Sequence, residues 1–200
     1  MEAVKTEITP KNTAGILLAA GAARRFGGDK LSAEIEGRSV LDRSASALRH
    51  AGCFINAGVI ARKKDCHQKI LDSSNLSTLI NENASSGVSG SIKLGVQWAV
   101  ERGAKAILIA LADMPFLPPQ HFHKLFRAAD NEEKIAFTIC VGVRMPPALF
   151  GEQWFERLLT LSGDQGAKIL LRDVPAHASV EATKRMLTDI DVIADLGFKK

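Results

Sequence analysis

Tyrosine is missing from this 200-residue chain, and phenylalanine and tryptophan bring the aromatic share to only 6%. A surface that stacks nucleotide bases needs more rings than that, and the 26 basic residues, set against 22 acidic ones, are scattered along the chain, so no nucleic-acid partner is expected. The formal charge of +4 suits a small anionic ligand instead. Cysteine is scarce too. Cys53, Cys66 and Cys140 stand far apart in no C-x-x-C arrangement, which argues against a disulfide framework and a zinc knuckle. They read as small core residues of a protein in a reducing, cytoplasmic setting. No apolar run approaches membrane-spanning length, and residues 1–12 read as a polar, flexible leader without the apolar stretch of a signal peptide, so no membrane association is expected. Neither G-x-x-x-x-G-K-S/T nor G-x-G-x-x-G occurs, and no Ser/His/Asp triad can be assembled. With no repeat, low-complexity tract or linker, residues 13–200 are expected to form one domain.

What the chain does have is alternation. Apolar runs at Thr13–Ala19, Phe54–Ile60, Thr78–Asn81, Ala106–Ala110 and Ile135–Val141 read as strands, with helices expected at Ser39–Ala51, Lys64–Leu71, Ile92–Arg102, Pro119–Ala129 and Glu152–Leu159. Ser39 is placed to cap the first helix and Gly52 to end it. Arg144-Met145-Pro146-Pro147 reads as a rigid loop, Ala167–Leu171 as a short helix and His177–Val180 as strand-like. Strands alternating with helices imply an α/β fold, a three-layer α/β/α sandwich on a mostly parallel, Rossmann-like sheet. Ligands of such sheets bind beyond the carboxyl ends of the strands.

Three loops fall on that rim. The first follows Leu18, Ala19, Ala20 and Gly21 and delivers Arg25, Gly27 and Lys30. Its small residues let main-chain N–H groups approach a phosphate, and Arg25 and Lys30 add charge; a βα turn with two surface cations is the plain alternative. The second, Ser86-Gly87-Val88-Ser89-Gly90-Ser91, opens into a helix whose N-terminus faces the same rim. The third ends the Ala106–Ala110 strand with Asp113-Met114-Pro115, where Asp113 either holds Mg²⁺ between phosphate oxygens or serves as turn chemistry. Asp164 either caps a helix or holds a second substrate or metal, and Asp189 or Asp191 is placed to complete the Asp113 site unless both lie in an exposed turn. His121 and His123, two apart on a helix, face different directions and are expected at the surface.

The pattern L-A-A-G-x-x-x-R-x-G-x-x-K, the Ala-Asp-Met-Pro-Phe-Leu strand end and Ser-Gly-Asp-Gln-Gly-Ala-Lys, in this order, resemble the molybdenum-cofactor nucleotidyltransferases of the nucleotide-diphospho-sugar transferase-like superfamily. The likeness is to the molybdopterin cytidylyltransferase type and extends from about Gly15 to Leu196. It implies that Arg25 and Lys30 hold nucleotide phosphates and that Leu18, Ala19, Ala20 and Gly21 make main-chain contacts. It implies further that Ser86, Gly87 and Ser91 approach the base and ribose, and that Asp113 and Asp191 hold Mg²⁺. Arg144, Pro146 and Asp164 are then expected on the acceptor. The implied reaction is transfer of CMP from CTP (or a nucleotide from GTP) to molybdopterin with release of pyrophosphate, and docking to a molybdoenzyme is the implied route of delivery. Cytidylyl or uridylyl transfer to a sugar or isoprenoid phosphate, or a binding protein without turnover, are the alternatives. Ala20 favours CTP, since the GTP-using branch tends to carry Leu-Ala-Gly-Gly. Ala23 stands where relatives often have serine, Val192-Ile193 replaces Thr-Pro, and Met145-Pro146-Pro147 replaces Gly-His-Pro.

Overall fold

The two longest unbroken apolar runs become the central strands. The computed structural model describes residues 7–21, 26–62, 64–130, 133–172 and 174–197. In chain order these form β1 (Thr13–Ala19), β2 (Glu34–Ile35), β3 (Arg38–Ser39), α1 (Val40–Arg49), β4 (Ile55–Ile60), α2 (Asp65–Ser73), β5 (Ser77–Ile80), α3 (Val88–Glu101), β6 (Ala106–Leu111), α4 (Pro119–Ala128), β7 (Ile135–Cys140), β8 (Val143–Gly151), α5 (Phe155–Thr160) and β9 (Ser179–Glu181). A seven-stranded sheet runs β5-β4-β1-β6-β8-β7-β9. Its pairs are parallel except at β8, which is antiparallel to both neighbours.

Alternation within the strands sorts side chains into two cores. Leu17, Leu108, Ala136 and Leu149 pack with α1, α2 and α4 on one face, while Ile16, Ile107, Phe137 and Phe150 pack with α3 and α5 on the other. That is the expected three-layer α/β/α sandwich. Burying Phe137 and Phe150 completely contributes roughly 1.5–3 kcal/mol each. Ser39 caps α1 as expected, its hydroxyl accepting from the Asp42 N–H at 3.1 Å.

Four expectations need correction. Residues 8–12 are not a loose leader: Ile8 is buried, Pro10–Asn12 form a 3₁₀ turn, and the Pro10 and Asn12 carbonyls accept from the Phe54 and Lys105 N–H groups. Arg144–Pro147 is not a loop but part of β8, which reaches β7 through a tight turn with positive φ at Val141 (49°) and Gly142 (77°). Prolines are tolerated there because the ladder is bulged: Phe137 pairs with Ala148 but Thr138 with Met145, leaving Pro146 and Pro147 between the registers. His121 is not at the surface; it is 1% exposed, and its Nε2 lies 2.8 Å from Thr138 Oγ1. Among the cysteines, Cys53 is buried but Cys66 is exposed and Cys140 half-buried. None of the helices among the described residues is long and apolar enough to cross a membrane.

Candidate active site

The carboxyl end of β1 leads directly into the rim. Ala19, Ala20 and Gly21 line a cleft of about 640 Å³ that also takes in Lys30, Arg62 and Lys64. A neighbouring hollow of about 250 Å³ is shared by Ala20, Gly21, Gly87, Ser91 and Asp164. Arg25 and Ala23 lie outside the described residues. Leu18 lines the smaller hollow and, with Lys30 and Asp113, a third of about 200 Å³.

Lys30 and Asp113 meet on the rim. Lys30 Nζ donates to Asp113 Oδ2 at 2.7 Å and to Asp191 Oδ1 at 3.2 Å. The lysine side chain is only 10% exposed, whereas the two carboxylates are 25% and 44% exposed. Burial pulls the Lys30 ammonium down, but the hydrogen bond and charge of Asp113, then those of Asp191, outweigh it and hold the group above its ordinary value. Backbone contacts fix both acids. The Ile190 N–H donates to the Asp113 carbonyl at 3.0 Å, and Ser44 Oγ donates to the Ala112 carbonyl at 2.9 Å. Asp195 Oδ2 accepts from the N–H groups of Asp191 and Val192, both at 2.8 Å, folding the closing segment back over the site. Asp189 is nearby in charge terms: burial first, then Asp191 and Asp113, raise its carboxyl above the usual range.

The second loop is shorter than expected. Its residues Ala84–Ser86 make a 3₁₀ turn and α3 begins at Val88, four residues before the expected start. Serine and glycine disfavour helix on their own, but the Gly163 carbonyl takes the Ser89 N–H at 3.2 Å and anchors the first turn. Gly87 is the hinge of this junction: its φ is +109°, and a Cβ there would sit 2.1 Å from the Gly163 oxygen. The 162–166 loop is thereby pressed against the rim, carrying Asp164 with it. Ser91 is 2% exposed and accepts from Asn81 Nδ2, while Ser86 is exposed and lines none of these hollows; Ser85 takes its place.

Arg144 is engaged elsewhere. Its Nη1 donates to the carbonyls of Leu171, Arg172 and Val174, and its guanidinium lies 5.0 Å from the Phe137 ring centroid, so it braces the segment beyond the 3₁₀ turn at Ala167–Leu171. Pro146 sits in the bulge of β8. What lies beside Asp191 is a separate groove of about 670 Å³ lined by Val143, Met145, Leu187, Asp189 and Val192. Sequence reasoning missed Asp195 as the clamp on Asp191, and Arg62 and Lys64 as cleft cations. The first follows an Asp-x-x-x-Asp spacing that marks a capped turn; the cations carry no signal until β4 and α2 bring them over the cleft.

The family model for the MobA-like NTP transferase domain matches residues 15–180. The chain belongs to this family of nucleotidyltransferases. Among its relatives, purine catabolism protein PucB of Bacillus subtilis is 30% identical over 199 residues, covering 88% of this chain and 90% of that one. A probable molybdenum cofactor guanylyltransferase of Opitutus terrae is 28% identical over 115 residues, 58% of this chain and 54% of that one. A nucleotidyl transferase structure from Methanothermobacter shares the family fold with a TM-score of 0.77 at 18% identity, covering 92% of this chain and 93% of that one.

Proposed function

We propose that this nucleotidyltransferase carries CMP from CTP to the terminal phosphate of a molybdopterin-type acceptor. The carrying observation is Lys30, held between Asp113 and Asp191 on the floor of a rim lined by the small residues Ala19, Ala20 and Gly21.

An acceptor phosphate oxygen attacks the α-phosphorus, the new P–O bond forms, and the bond to the β-phosphate oxygen breaks, with pyrophosphate leaving. A phosphate is already a nucleophile, so the chain needs no general base. Its task is to align two polyanions and neutralise the charge that grows on the leaving group. Main-chain N–H groups of the first loop, with Arg25, Lys30, Arg62 and Lys64, serve the triphosphate. Asp164, beside Gly87, belongs to the nucleotide side of the rim, and the acceptor is assigned to the groove beside Val143, Met145 and Asp191.

The donor set fits Mg²⁺. Asp113 and Asp191 offer only carboxylate oxygens, the ligands of a hard cation, and both already face one positive charge in the Lys30 ammonium. When bound there, the ion would supply positive charge to the phosphates. Ala20 supports the pyrimidine nucleotide: it lines both the 640 Å³ cleft and the 250 Å³ hollow, and its methyl group takes up room that a glycine would leave. Release of the pterin dinucleotide to a molybdoenzyme by docking is part of the same proposal.

The test is pyrophosphate release with CTP, GTP or ATP in the presence of Mg²⁺, offered with molybdopterin and in parallel with sugar phosphates. CTP with molybdopterin is expected to give the signal. Release only with sugar phosphates would move the acceptor assignment, and no release with any pair would make the protein a binder.

A further inference from the structure

At the lip of the cleft beside Ala19 and Ala20, side chains from two separate segments crowd around one carboxylate oxygen. Ser32 Oγ and Lys64 Nζ donate to Asp29 Oδ2 at 2.7 and 2.9 Å, and His67 Nε2 lies 2.9 Å from the same atom. The Cys66 thiol joins them, its Sγ 3.9 Å from Ser32 Oγ, so that one ligand atom each from Asp29, Cys66 and His67 falls within 4.8 Å of the others. Nucleotidyl transfer has no use for a thiol beside an imidazole. Phosphates are served by the cations of the cleft, and a hard cation by Asp113 and Asp191.

Thiolate, imidazole and carboxylate are the three side-chain ligand types of zinc, and a thiolate discriminates strongly against magnesium. Zinc bond lengths of about 2.0–2.3 Å place tetrahedral donor atoms roughly 3.2–3.8 Å apart, so a small inward movement closes the set. The structure allows that movement where it is needed. His67 is 5% exposed and Asp29 is already hydrogen-bonded, so both are held, while Cys66 is exposed. Lys64, 30% exposed on its side chain, is the present counter-charge of Asp29 and can withdraw into the cleft that it lines.

We propose that Asp29, Cys66 and His67 form a binding site for a zinc-class divalent cation, with the fourth position open to the cleft. The ion would cross-link the end of the first loop to the first turn of α2. Because Asp29 precedes Lys30, loading the site restrains the backbone that presents the Lys30 ammonium. This site is separate in chemistry from the oxygen-only pair Asp113 and Asp191, and it stands whatever nucleotide the rim accepts.

Titration of the full chain with Co²⁺ under a non-thiol reductant tests it. About one equivalent should bind with a thiolate-to-cobalt charge-transfer band, displaced by Zn²⁺. Cys66→Ser should abolish the band and Cys53→Ser should retain it; circular dichroism checks that both variants fold. Asp29→Asn should weaken Zn²⁺ binding, measured by competition with a chromophoric chelator, at least about tenfold. A band that is absent, a band that survives Cys66→Ser, or equal Zn²⁺ affinity in Asp29→Asn and the parent would overturn the proposal.

Discussion

Replacing Lys30 with methionine keeps an unbranched side chain one heavy atom shorter and removes the ammonium, with its charge and its two hydrogen bonds. In the native site the ammonium lies 2.7 Å from one carboxylate and 3.2 Å from another, on a side chain 10% exposed. Breaking a buried ion pair costs about 3–5 kcal/mol, and an exposed pair contributes about 1 kcal/mol or less. Asp113 and Asp191 are 25% and 44% exposed on their side chains, which places the expected loss between those limits, at about 2 kcal/mol. For a chain of this size that is a drop in Tm of roughly 4–8 °C. Catalysis should suffer separately. A lost contact to charge developing in the transition state lowers turnover about 100-fold. The two effects are distinguished by adding Mg²⁺. A pair of carboxylates deprived of its ammonium should take a divalent cation more readily, so millimolar Mg²⁺ should raise the Tm of the variant more than that of the parent, without restoring turnover. Differential scanning fluorimetry across a Mg²⁺ series, read beside pyrophosphate release, measures both. A variant with parental Tm and parental rate would refute the assignment of Lys30 to the site.

Asp113→Asn removes a charge from a half-buried side chain and not a core contact, so turnover should fall by at least about 100-fold while the Tm moves by less than about 2 kcal/mol would produce; near-parental pyrophosphate release would count against the site. Gly87→Ala forces a side chain onto a backbone at φ +109° and against the Gly163 oxygen, and should cost about 2 kcal/mol or more in chemical denaturation and weaken nucleotide binding in a fluorescence titration. The buried histidine sets a pH dependence. Thr138 Oγ1 donates to the Pro147 carbonyl, so His121 Nε2 must donate to Thr138, which leaves Nδ1 bare and without a partner. Burial, then the charge of Lys124, pulls His121 down to about 4 from 6.5. A depressed histidine contributes stability that is present above its unfolded value and lost as pH falls toward the folded one. Stability should therefore decline between about pH 6.5 and 4, by on the order of 2–3 kcal/mol, and His121→Gln should flatten that decline in urea titrations at stepped pH.

The centre of the sheet was legible because β1 and β6 are built on apolar runs, and Thr13–Ala19 has the same bounds in sequence and structure. Boundaries failed where tertiary contacts override local preference. Val88-Ser89-Gly90-Ser91 is poor helix sequence, yet the Gly163 carbonyl draws it into α3. Arg144-Met145-Pro146-Pro147 reads as a loop because two prolines cannot both serve a regular ladder; only a bulge, invisible in sequence, lets the strand continue. Of the candidate site, Leu18 to Gly21, Lys30 and Asp113 were placed on the rim in advance because short contiguous motifs carry them, while Arg25 lies outside the described residues. Lys64 acts through Asp29, supplied by a distant segment, whereas Asp195 acts on the N–H groups of Asp191 and Val192 close by in the chain; Arg144, read as a contact to substrate, is spent on three carbonyls.

The hydrogen bond from Lys30 to Asp191 spans 161 residues. During synthesis the chain emerges from its N-terminal side, and contacts of long sequence separation close late because each must overcome the loop entropy between its ends. The cleft is lined by residues between 19 and 85, whereas the second carboxylate on Lys30, after that of Asp113, comes from the closing segment. A chain cut before Asp189 would keep every residue that lines the cleft and lose one of the two carboxylates on Lys30.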